Sequence, residues 1–169
     1  MNQQERQQIL EDELLIVRHS GEIPEIAYHA TIHYLTEDPE GPGLTLTDAE
    51  VMSLQDGALA RAREIVLRDL DPANRDLTIY RGIKRTIYNW QRWQDFLARL
   101  GRNDAEFRQE VRGALVAFLA QEKKDVQSGA RASSINCTVE ELAVIARELG
   151  CRDGELPAGW QELCQQVTP

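Results

Sequence analysis

Residues 80–93 gather Tyr80, Tyr88, Trp90 and Trp93 with Arg81, Lys84, Arg85 and Arg92, in a chain whose net charge is −9. Arginine offers carboxylates and phosphates a planar fork of donors, and tyrosine adds a flat amphipathic contact, so this combination suits binding rather than bond making. At 100° per residue a helix here sets Ile79, Ile83, Ile87, Trp90, Trp93, Leu97 and Leu100 on one face. Arg81, Arg85, Tyr88, Arg92 and Arg99 fall on the opposite face, which makes it the expected contact surface. Three uses of that face are open. Its arginines can pair with the many acids of residues 1–76, bind an acidic partner protein or a second copy of the chain, or track the phosphates of RNA or single-stranded DNA. The periodicity turns both tryptophans inward and leaves chiefly Tyr88 to stack on a base, which ranks the protein partner above the nucleic acid.

A metal is the other chemistry the spacing allows. His29 and His33 lie one helical turn apart, with Glu25 and Glu37 continuing the stripe, and such a pair suits a divalent metal in an enzyme or a sensor. His19 is the one remaining histidine, and a turn at residues 20–22 puts it about 15 Å along the helix from His33. There is no His-Glu-x-x-His and no paired Glu-x-x-His, so the expected state is a solvated stripe of histidine and glutamate with no resident cofactor. His29 and His33 stand as the metal alternative.

Other chemistry finds no signature. Cys137, Cys151 and Cys164 are odd in number and widely spaced, without a Cys-x-x-Cys pair, and are expected as reduced thiols. No Gly-x-Ser-x-Gly elbow, dinucleotide fingerprint or phosphate-binding loop occurs. Glu22 with Glu25 and Glu140 with Glu141 read as first-turn acids favoured by the helix dipole, not as an acid and base pair.

The elements that would hold these residues are helical throughout. A first helix is expected over residues 4–19, with Ile9, Leu10, Leu14 and Val17 inward and Gly21 as a left-handed cap. Pro24 opens a second, on which Ile23, Ile26, Ala27, Ala30 and Tyr34 make the inward stripe before a breaker at residues 38–43. Thr47 with Glu50 caps a third helix that ends near Asp71 and Pro72. The arginine helix follows over about residues 75–100 and stops at Gly101. Asn103 with Glu106 opens a fifth, with Phe107, Val111, Ala114, Leu115 and Phe118 inward. Residues 127–137 are small and polar and read as a loop or linker exposed to proteases. Thr138 with Glu141 caps a helix closed by Gly150, and Pro157 starts a last short one.

The fold class is therefore all-α: a single-domain helical bundle of about five main helices over residues 1–126, a linker at 127–137, and a small C-terminal helical appendage over 138–169 docked on the bundle. No repeat of solenoid period is present. The stretch over residues 138–150 resembles the opening helix of a helix-turn-helix, but residues 151–157 place acids and Pro157 where a recognition helix needs basic or amide side chains.

Charge is uneven. Residues 1–76 carry 16 acids against 6 bases, residues 77–112 carry 4 against 8, and the remainder 8 against 5. An acidic whole repels polyphosphate and anionic membranes at long range, so only a local basic site can bind anions. The longest aliphatic run covers residues 14–17, far short of the roughly 20 needed to span a bilayer. With no leader pattern in the Gln-rich start, the expected location is the cytoplasm. The expected function is that of a non-catalytic regulatory or adaptor protein binding an acidic protein or itself through the arginine face.

Overall fold

Helix signals dominate the sequence, and the computed structural model, which describes residues 1–21, 23–74 and 82–164, is all-helical. Its described residues form six α-helices and two 3-10 turns, with no strand among them. The chain divides into two compact units, Met1–Ile65 and Val66–Pro169, and the division falls inside the third helix.

The first unit holds α1 (Gln3–Arg18), α2 (Pro24–Thr36) and most of α3 (Asp48–Asp69). Asn2 starts α1 through a capping box: its side chain accepts from the Glu5 N–H at 2.8 Å while Glu5 accepts from the Asn2 N–H at 2.9 Å. The other end departs from expectation. The helix stops at Arg18 with His19 as its C-cap, and Gly21 has no positive φ, so the stop is made by backbone bonds rather than by a left-handed glycine. Pro24 occupies the first turn of α2 as expected, because its missing N–H has no intrahelical acceptor to lose there.

The face of α2 that is buried is not the expected one. Pro24, Tyr28, Thr31 and Leu35 are buried, whereas Ile23, Ile26 and Tyr34 remain 36%, 57% and 39% exposed. Thr31 donates to Glu13 of α1 at 3.4 Å, and Gln55 of α3 donates to the Tyr28 hydroxyl at 3.4 Å. Burial pushes the Glu13 carboxyl above its ordinary range, against the opposing bond from Thr31.

After α2 the chain turns back sharply. The Leu44 N–H reaches the Leu35 carbonyl at 2.7 Å and buries the Leu44 side chain. Gly41 makes this possible, because a Cβ there would lie 1.9 Å from the Tyr34 carbonyl oxygen. Thr47 and Glu50 form the expected box at the head of α3, and Arg6 of α1 ties into it through bonds to Glu50 at 2.7 Å and to the Thr45 carbonyl at 3.0 Å. Inside α3, Gly57 allows α1 to approach closely: a Cβ would sit 2.7 Å from a Leu14 methyl.

The second unit holds α4 (Gly82–Arg99), α5 (Ala105–Gln127), α6 (Val139–Glu148) and the turns Pro72–Asn74 and Trp160–Leu163. Gly101, at φ +65°, ends α4, with the Arg102 N–H bonded to the Leu97 carbonyl and the Gly101 N–H to that of Ala98. The cap of α5 is Asp104, which accepts from the Phe107 N–H at 2.9 Å, and not Asn103 one residue earlier. Thr138 and Glu141 cap α6 as their spacing predicts, and Gly150 closes it at φ +78°. The last helical piece is a 3-10 turn, so no recognition helix follows α6 among the described residues.

The loop between α5 and α6 is anchored. Glu122, fully buried on α5, accepts from Arg131 and from both the backbone and the hydroxyl of Ser134 (2.9 Å). Ser133 donates to the Leu163 carbonyl at 2.5 Å, and Lys123 donates to that of Ala158, so the C-terminal turn is tied to α5 and its loop.

Candidate functional site

Where its side chains are described, α4 divides as its periodicity predicts, with Leu100 only half-buried; Ile79 and the side chain of Ile87 lie outside the described residues. Ile83, Thr86, Trp90, Trp93, Phe96 and Leu97 are buried, with Trp90 set edge-on to Phe107 of α5 at 5.2 Å and Trp93 against Phe96 at 5.3 Å. Large rings that pack in this way fix the rotation of the helix about its axis.

On the other side Tyr88 is 56% exposed and Arg99 is exposed. The Arg92 guanidinium lies over the Tyr88 ring, 5.8 Å from its centroid, which holds a cation and a flat ring together on one patch. Arg99 Nε donates to the Asp95 carbonyl at 3.3 Å, one turn back on α4. Arg81 lies outside the described residues, and so does the side chain of Arg85, whose backbone belongs to α4. At the C-terminal end of the same helix Arg108 of α5 donates to Gln94 at 3.0 Å, and Gln91 donates to Glu148 of α6 at 3.0 Å.

The histidines sit elsewhere, on α2. Both His29 and His33 are exposed; His33 pairs with Glu37 at 3.3 Å, and His29 packs edge-on to the Tyr28 ring at 5.2 Å. Among the described residues no three His, Cys, Asp or Glu side chains gather where they could hold a metal ion.

The cysteines are free thiols, two of them brought together: Cys137 and Cys164 are buried, and Cys164 shares a hydrogen bond with Cys137. Burial raises the Cys164 and Cys151 thiols, which keeps them protonated and weakly nucleophilic. Cys151 borders a cleft of about 400 Å³ with Arg147, Arg152 and Trp160, a grouping that sequence spacing gave no means to foresee.

The residues that periodicity placed wrongly are Ile23, Ile26 and Tyr34 of the α2 stripe. Leu15 and Ile16 in the last turns of α1, which are not on its inward stripe, are also 52% and 55% exposed and flank the same turn as Ile23 and Ile26. The signal was present as the stripe Ile23, Ile26, Ala27, Ala30 and Tyr34, but a periodic stripe identifies a face to be covered and not what covers it.

No helix among the described residues is long and apolar enough to cross a membrane. No curated protein and no solved structure matches the chain. One family model does, over residues 5–151, a span that begins in α1, ends just past α6, and includes both the arginine face and the exposed stripe of α2. The chain belongs to that family, which is described as a repeat of unknown function (DUF7826).

Proposed function

We propose that this protein is a non-catalytic regulatory or adaptor protein, acting in the cytoplasm, whose α4 face binds an acidic protein partner or a second copy of the chain. The observation that carries it is the division of α4: tryptophans locked inward, Tyr88 outward, and Arg92 stacked over its ring. Arginine and tyrosine are the side chains in which interfaces concentrate their energy, and a helix clamped by buried rings presents them with little loss of freedom on binding. Arg81, Arg85, Arg92 and Arg99 supply charge-assisted bonds to partner carboxylates, and Tyr88 supplies flat contact area. Nucleic acid is the weaker partner, because Trp90 and Trp93 are 2% and 4% exposed and cannot stack on bases.

The test is affinity capture from host lysate with the wild type and with the variant Arg81→Glu, Arg85→Glu, Arg92→Glu, Arg99→Glu, after circular dichroism shows the variant folded. Loss of an acidic protein from the variant eluate is the expected result. Loss of nucleic acid instead would transfer the face to that partner, and identical eluates would leave it a solvated surface.

A further inference from the structure

Two surfaces of this chain complement each other. The first unit, Met1–Ile65, carries 13 acids against 4 bases and so holds the whole net charge of −9, while Val66–Pro169 carries 15 of each. The acidic unit is also where exposed apolar side chains concentrate, with Ile23, Ile26 and Tyr34 on one face of α2. The neutral unit presents Arg92 and the exposed Arg99 on α4, with an exposed aromatic ring at Tyr88 beneath the Arg92 guanidinium.

We infer that the exposed α2 stripe of one copy docks on the α4 face of another copy of the same segment, head to tail. This rests on the reading of α4 as a binding face, and names its partner. Two copies of the acidic unit facing each other through α2 would set −9 against −9, so a symmetric pairing of that stripe is opposed by the same charge that favours α4. A head-to-tail contact leaves each copy with one used and one unused surface, and so propagates from copy to copy. That geometry accords with a family described as a repeat.

The surfaces are small. A helix of 13 residues offers one face about 20 Å long, below what a standard stable interface needs, so the contact between separate chains is weak. Copies joined in one chain meet at effective concentrations on the order of mM, at which a weak contact is occupied.

Sedimentation equilibrium of the wild type, taken up to about 1 mM at low salt, is expected to show concentration-dependent association. Ile26→Asp alters a side chain already 57% exposed, and should weaken association at least tenfold without unfolding the unit. Arg92→Glu with Arg99→Glu should do the same from the other surface. The deciding step mixes the two variants: each retains the surface the other lacks, so the mixture should form a 1:1 heterodimer that does not grow. A wild type that stays monomeric throughout, or a mixture with no heterodimer, overturns the proposal. Should the wild type be monomeric while the arginine variant still loses an acidic protein from lysate, the second copy fails and the α4 binding face stands. Should Ile26→Asp abolish association and the arginine variant associate like the wild type, α4 is not the docking surface.

Discussion

At the scale of single residues, two carboxylates show how environment divides chemically similar groups. Glu50 is held below the ordinary range for a glutamate, first by the Thr47 backbone N–H and then by the Thr47 hydroxyl and Arg6, against the cost of desolvation. A carboxyl lowered in the folded state adds stability above its unfolded value of about 4.5, and that stability is lost as pH falls through the folded value. Glu50→Gln is therefore expected to cost about 1 kcal/mol at pH 7, as loss of a helix cap does, and the gap in Tm from the wild type should close below pH 4.5. Thermal melts from pH 7 to pH 3 check this; a gap of constant size would mean that the carboxylate charge is not what matters. Glu122 works differently. Its oxygens have no solvent, and Arg131 and Ser134 satisfy them, so it pins a polar loop whose composition alone reads as a linker.

At the scale of elements, caps follow short-range rules and packed faces do not. Thr47 with Glu50 and Thr138 with Glu141 form the boxes their spacing implies, because both partners lie within one turn of chain. On α2 two stripes compete, and the buried one is the more polar, chosen by the neighbours that meet Thr31 and Tyr28. The return loop after α2 depends on backbone proximity. Gly41→Ala should cost about 2 to 3 kcal/mol, since its Cβ would meet the Tyr34 carbonyl and neither backbone can yield cheaply. Gly43→Ala, at φ +61° in open space, should cost only about 1 kcal/mol. Urea denaturation of both variants tests the order, and equal losses would refute the clash.

At the scale of the whole molecule, the distribution of charge is more informative than its sum. A net of −9 argues against anion binding until it is seen to belong to Met1–Ile65 alone, which leaves the second unit, with Arg92 and Arg99 on its α4, neutral. Association through these surfaces, as proposed, would combine screened charge with apolar burial, and the two respond oppositely to salt. Raising ionic strength from 0.1 M to 1 M shortens the screening length from about 10 Å to about 3 Å, so association should weaken by about tenfold and then level off on the apolar part. Sedimentation across that range measures it. Association that strengthens steadily with salt would show a contact held by apolar burial alone.

The sequence by itself determined the helical class, the main breakers, the inward turn of Trp90 and Trp93, and the outward turn of Tyr88, since each depends on periodicity and capping within a few residues of chain. Tertiary structure decided what depends on neighbours distant in sequence: which stripe of α2 is buried, the tie from Glu122 to Arg131 and Ser134, the pairing of Cys137 with Cys164, and the division at Ile65 inside a continuous helix. A periodic pattern states that a helix has an apolar face. Only the packing of other elements against that helix decides which face is covered.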